Sequence, residues 1–237
     1  MNVESYKAMA KQATQAIQAG NQALALALLD QLATRFPHKA AIHALRADAI
    51  KSFGDFAKAH DEARMAVGLD PNCIAGYQVL ADAAWDLGHK LEAQQAYEKI
   101  TQLELDPEVL ALAWIKYAMF MAYERGPRVA EKIALKAVDI APKNPDAWAA
   151  LGLAQFRDHR PDEAVASLNK ALSLDPHSLH SEWILATIYK WIGEDAKAHA
   201  LARLMQDEPA GKPLAAEIHE HIRRKHYNQG ITPETRK

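Results

Sequence analysis

Residues 40–73, AAIHALRADAIKSFGDFAKAHDEARMAVGLDPNC, decide the fold of this chain. Ile42, Leu45, Ala49 and Ile50 recur at helical spacing and make one apolar face, which stops at Phe53-Gly54-Asp55. Glycine there allows the positive φ that ends a helix. A second helix follows, with Phe56, Ala59, Ala63, Ala66 and Val67 on one side, and it closes at Leu69-Asp70-Pro71. Proline cannot continue the helix before it but is tolerated in the first turn of the next. The segment therefore reads as a helical hairpin that hands over to another.

The rest of the chain repeats it. Ala25, Ala59, Ala93, Ala130, Ala164 and Ala198 follow one another at intervals of 34, 34, 37, 34 and 34 residues. Twelve residues before each stands Ala13, Ala47, Ala81, Ala118, Gly152 or Ala186. Small residues at two fixed points of a period near 34 are what close helix crossings in a stacked array demand. The punctuation keeps the same period: Gly20, Gly54, Gly88 and Gly193 mark turns, while Pro37, Pro71, Pro107, Pro142, Pro176 and Pro209 close successive units. The fourth and fifth turns, Arg125-Gly126-Pro127 and His159-Arg160-Pro161, depart from the Gly-Asp form. Both ladders lengthen by three residues near 100–113, which predicts a longer helix or a widened turn and a local change of pitch there.

These residues resemble the tetratricopeptide repeat family, whose pattern combines a large residue, Leu-Gly or Leu-Ala, an aromatic, a turn glycine, an alanine in the second helix and a terminal proline. The nearest matches are Tyr77-Leu80-Ala81 with Gly88 and Ala93, and Trp148-Leu151-Gly152 with Ala164, Ala171 and Pro176. Trp114-Tyr117-Ala118 with Ala130, Ala137 and Pro142 is close to them. The resemblance implies an all-α, right-handed superhelical solenoid of about six hairpins. We expect repeats at 6–39, 40–73, 74–110, 111–144, 145–178 and 179–212, a capping helix at 213–227 and a flexible tail at 228–237. Within the cap, Leu214, Ile218 and Ile222 lie four apart on one face, and Arg223, Arg224 and Lys225 suit the negative end of the helix dipole.

Composition narrows the function. The formal net charge is −2 over 237 residues, which gives no electrostatic reason to expect a nucleic acid or an anionic membrane as partner. Cys73 is the one cysteine, so no intrachain disulfide forms and a reducing, cytoplasmic setting is expected. Neither a signal peptide nor a membrane span is predicted.

Catalytic chemistry is not expected either. There is no phosphate-cradling glycine loop, no paired CxxC and no HExxH. Glu217 and His221 lie one helical turn apart, but two ligands are too few for a tight zinc site, so no metal and no cofactor are predicted. Cys73 reads as a small packed hydrophobe, and Arg223-Arg224-Lys225 as a short solvated run. Trp114 and Trp148 read as core within their own repeats.

A protein partner remains. In the family, the first helix of each repeat lines the concave face, and the inward positions can be counted from the first-helix ladder. The early repeats supply Ala10, Thr14, Ile17 and Gln18, then Ala44, Asp48, Lys51 and Ser52, then Gln78, Asp82, Trp85 and Asp86. Later repeats supply Ile115, Met119, Ala122 and Tyr123, then Ala149, Leu153, Phe156 and Arg157, then Trp183, Thr187, Lys190 and Trp191. This second half is apolar and aromatic, as binding surfaces are, unless the chain's own helices cover it. No three successive repeats carry the Lys and Asn set with which chaperone-tail-binding members hold a carboxylate. Asp48, Asp82 and Asp86 suggest instead a ligand with basic residues near one end. The expected function is a non-enzymatic adaptor or scaffold that holds a peptide or amphipathic segment of another protein in this groove. The alternative is a self-associating module that forms a homodimer.

Overall fold

The computed structural model describes the backbone of residues 3–124 and 126–228 and the side chains of residues 7–124 and 126–222. The expected tail beyond Asn228, Arg125, and the side chains of Arg223, Arg224 and Lys225 lie outside the described residues. Every regular element among those described is an α-helix. The chain forms two compact units, residues 1–105 and 106–237.

The N-terminal unit holds three hairpins: α1 (Val3–Gln18) with α2 (Gln22–Arg35), α3 (Ala40–Ser52) with α4 (Phe56–Leu69), and α5 (Ile74–Asp86) with α6 (Lys90–Thr101). Each helix packs on the next in sequence, and α3 also lies against α5, so the first helices of hairpins two and three are neighbours. The C-terminal unit holds α7 (Pro107–Tyr123) with α8 (Pro127–Ile140), α9 (Pro145–Arg157) with α10 (Pro161–Leu174), α11 (Leu179–Ile192) with α12 (Asp195–Met205), and then α13 (Gly211–Asn228). Here α7 touches α9 and α9 touches α11 in the same manner.

Local signals place the ends of these helices. The side chains of Asn21, Asp55, Asn144 and Ser178 each accept a hydrogen bond from a backbone N–H in the first turn that follows. Proline occupies the first turn of α7, α8, α9 and α10, where its missing N–H costs no helical bond. Gly20, Gly54, Gly88 and Gly193 have φ between 68° and 88°, the left-handed region their turns require. At the corresponding place in the fifth hairpin stands His159, with φ of 62°.

Both small-residue ladders are buried along their whole length. Gly152 shows why. A Cβ built there would lie 2.8 Å from Cγ of Leu168 and 3.1 Å from the carbonyl oxygen of Ala164, so α9 and α10 cross at a separation that admits no side chain. The three extra residues of the longer interval enter a helix: α7 has 17 residues, whereas α3, α5 and α9 have 13 each. Helix α7 begins at Pro107, ahead of the boundary at 111 that the repeat spacing suggests.

After Met205 the chain turns sharply, and α13 begins at Gly211, two residues before Pro213. A Cβ on Gly211 would overlap the Met205 carbonyl, so the turn needs glycine. Helix α13 packs on α11 and α12. It buries Ala215, Ile218 and Ile222 against Ala186, Ala198, Ala202 and Met205. Each fully buried isoleucine is worth about 1.5–3 kcal/mol relative to its exposed state.

Candidate protein-binding cleft

In the C-terminal unit the turn-side ends of α7, α9 and α11 surround a cleft of about 780 Å³. Ala122 and Tyr123 come from the end of α7 and Pro127 from the start of α8. Phe156 and Arg157 end α9, Asp158 and His159 form the turn after it, and Trp191 lies near the end of α11. Trp191 is 58% exposed. Its ring meets Phe156 edge to face at 5.7 Å and lies 6.5 Å from the ring of His159. This contact is in the preferred range for an aromatic pair and favours one orientation of Trp191 by about 0.5–1.5 kcal/mol.

The charged groups of the cleft are positioned by the fold. Arg157 donates from Nε to the carbonyl of Ala122 at 3.2 Å and lays its guanidinium 5.2 Å from the Tyr123 ring. Burial pushes the Tyr123 phenol up, against the pull of Arg157, so it stays protonated. Asp158 is held by Arg160 at 3.2 Å and faces Arg128 at 3.6 Å. The cleft thus offers aromatic faces, one oriented guanidinium and a turn imidazole.

The other residues expected in this stripe are distributed differently. Ile115 and Leu153 are each only 4% exposed. Leu153 packs in the core that α7 to α11 share, and neither side chain presents enough surface for a ligand to hold. Met119 and Trp183 are partly buried and pack against the core shared by α7, α8, α9, α10 and α11. Lys190 is mostly covered, and its Nζ lies 4.0 Å from Glu217 on α13. Trp148, partly buried, donates from its indole to the Pro142 carbonyl at 2.9 Å. Trp114 is also partly buried and carries Lys136 4.3 Å above its ring.

The N-terminal unit contains the acidic residues. Asp82 accepts from Lys51 at 2.9 Å through one oxygen and from the Tyr97 hydroxyl at 2.8 Å through the other. Asp48 lies 3.6 Å from the same ammonium. Burial opposes the Lys51 charge, yet Asp82 and Asp48 outweigh it and hold the pKa above its ordinary value. Burial, reinforced by Asp82, pushes the Tyr97 phenol far up and keeps it a donor. Asp82 therefore already has an internal cation. Asp48 and Asp86 are exposed, and Trp85 is half-buried.

Models of the tetratricopeptide repeat match residues 11–72, 74–107 and 145–178, together more than half of the chain. The chain belongs to the tetratricopeptide repeat family. Over 106 residues it is 32% identical to the peroxisomal targeting signal receptor of Komagataella phaffii, a match that covers 44% of this chain. The chain spans about 17% of the length of that relative. Among solved structures it resembles PilW, a type IV pilus biogenesis factor, at 16% identity and a TM-score of 0.73, covering 88% of this chain and 94% of that one. It also resembles YrrB, described as a TPR protein with an unusual peptide-binding site, at 15% identity and a TM-score of 0.53, covering 81% and 97% respectively.

Counting tetratricopeptide first-helix positions reaches Tyr123, Phe156, Arg157 and Trp191 but not Pro127, Asp158 or His159. Pro127 opens a second helix and Asp158 and His159 form an inter-helix turn, places that the offsets omit. The signal available for them was the replacement of the turn glycine by histidine at position 159.

No helix among the described residues is long and apolar enough to cross a membrane.

Proposed function

We propose that this tetratricopeptide repeat protein is a non-catalytic adaptor that holds an extended or helical segment of another protein in the cleft of its C-terminal unit. The observation that carries the reading is the pairing of exposed Trp191 with Phe156 at the rim of an open cleft. An indole held by an edge-to-face contact loses little further freedom on binding, which is why such residues serve as anchors. The segment would insert an apolar or aromatic side chain between Phe156 and Trp191, and Arg157 at the same wall favours an acceptor or a carboxylate beside it. The basic residues expected of the ligand are reduced in importance, because Asp82 is engaged by Lys51. The buried, unpaired Cys73, whose thiol pKa burial raises, suits the reducing conditions of a cytoplasm.

Selection of displayed peptides on the intact protein tests this. Enriched peptides should bind Phe156→Ala and Trp191→Ala more weakly by about 1–4 kcal/mol, the usual cost of truncating an aromatic anchor. Leu91→Ala, which removes a still more exposed side chain from the other unit, should leave affinity unchanged. Equal affinity for all three variants would overturn the assignment. Sedimentation at several concentrations addresses self-association: a dimer of the wild type that Trp191→Ala dissolves would assign the cleft to a second copy of the chain.

A further inference from the structure

A different cluster lies in the N-terminal unit, where the second and third hairpins meet. His60 on α4 is buried, and its Nε2 lies 2.9 Å from Oε2 of Glu92 in the first turn of α6. His89, the residue that precedes α6, brings its Nδ1 to 3.8 Å from the same oxygen. The three ligand atoms all fall within 4.8 Å of one another. We propose that His60, His89 and Glu92 form a binding site for a divalent transition metal, best matched to zinc.

The donor set is two imidazole nitrogens and one carboxylate oxygen, a combination that suits zinc when water supplies the fourth position. Tetrahedral zinc with bonds near 2.0–2.2 Å sets its ligand atoms roughly 3.3–3.5 Å apart. The gap between His60 and Glu92 needs to open by a few tenths of an ångström, and His89 needs to close on Glu92 by about as much and on His60 from a separation of at most 4.8 Å. His89 is exposed and meets the His60 ring edge to face at 5.4 Å, so the movement re-aims a solvent-facing ring already beside the site. Charged side chains stand near the other two ligands. Asp61 lies 3.7 Å from Nδ1 of His60, the ring nitrogen that does not face Glu92, within reach of becoming an outer carboxylate to a metal-bound histidine. Arg64 approaches Oε1 of Glu92 at 3.8 Å, which leaves Oε2 for the ion.

The repeat register supplies an independent argument. His60 follows the ladder residue Ala59, while His89 and Glu92 precede Ala93 by four and one. The same places around Ala130 and Ala164 hold Glu131, Arg160 and Glu163. In that pair of hairpins Arg160 binds both Glu131 and Glu163, so a cation joins the second helix of one hairpin to the start of the second helix of the next. Between hairpins two and three the guanidinium is replaced by His89, and the position that accepts it by His60. A metal ion held by these side chains would restore the cationic bridge at the equivalent point.

Zinc titration of the intact, tag-free protein tests the site, with calorimetry for affinity and cobalt(II) absorption for coordination. One equivalent should bind, cobalt should give the visible bands of a tetrahedral site, and zinc should raise the melting temperature. His89→Ala and Glu92→Gln, both at accessible positions, should each weaken binding by at least the roughly 10–100-fold that even outer-shell partners contribute, and should abolish the thermal shift. His199→Ala controls for the other close histidine pair, in which His199 and His219 stack at 4.7 Å, and should leave binding intact. Absence of zinc binding would overturn the proposal. So would binding that survives both His89→Ala and Glu92→Gln, or that His199→Ala alone removes.

Discussion

Gly152 and Gly68 are both helical glycines, and replacing each by alanine should move stability in opposite directions. Gly68 lies in the last turn of α4, and a Cβ added there meets nothing within 4 Å. The change removes backbone freedom from the unfolded chain and should stabilise by up to about 1 kcal/mol. Gly152 would gain the same intrinsic benefit, but its new methyl lies 2.8 Å from Leu168 Cγ and 3.1 Å from the Ala164 carbonyl. Leu168 is fully buried and the carbonyl is part of α10, so neither yields readily. Overpacking of this kind costs about 1–3 kcal/mol. Subtracting the propensity gain leaves Gly152→Ala about 0–2 kcal/mol less stable than wild type. For a chain of this size each kcal/mol shifts the melting midpoint by about 2–4 °C. Thermal melts followed by helical circular dichroism, checked by urea unfolding, should therefore place Gly68→Ala above wild type and Gly152→Ala below it. If Gly152→Ala melts above wild type, the crossing of α9 and α10 has room for a methyl group and close packing does not explain the small-residue ladder.

His159→Gly should raise the melting temperature, because a left-handed conformation costs an L-residue about 1–2 kcal/mol that glycine avoids. An unchanged or lower midpoint would mean that the contact of His159 with Trp191 outweighs the backbone strain. Glu182 is buried, and burial, followed by the charge of Glu208, raises its pKa. A carboxyl with a raised folded pKa favours folding below its unfolded value and loses that advantage as pH rises through the folded value. Glu182→Gln should accordingly be more stable than wild type at pH 7, with the difference shrinking in acid. A gap that widens as pH falls would show the ionised carboxylate to be favourable where it stands.

The fold was legible because the constraint that sets it leaves a mark at single positions. A close crossing tolerates only alanine or glycine, and Ala59, Ala93 and Gly152 report it without reference to any other part of the chain. The candidate cleft was legible only in part. Offsets counted along first helices assume that an apolar side chain at an inward position is exposed, and this fails at Ile115 and Leu153, which are buried. Charge was harder still to read. Asp82 looked available until its partner Lys51, 31 residues earlier, was brought beside it. His60, His89 and Glu92 are scattered among helix ends in the sequence and become a set only when two hairpins stack.

The seat that α13 takes has a consequence for assembly. Within the C-terminal unit, α9 lies on both helices of the preceding hairpin, and α13 lies on α11 and α12 in the same way. A head-to-tail contact that repeats without closing produces an open filament, and an exposed last hairpin would be one half of such a contact. Helix α13 occupies that half with a segment of the same molecule, which a short connection holds at an effective concentration on the order of millimolar. We infer that it works as a chain terminator, and a variant with its apolar face made polar should then associate in a concentration-dependent way, which sedimentation would detect.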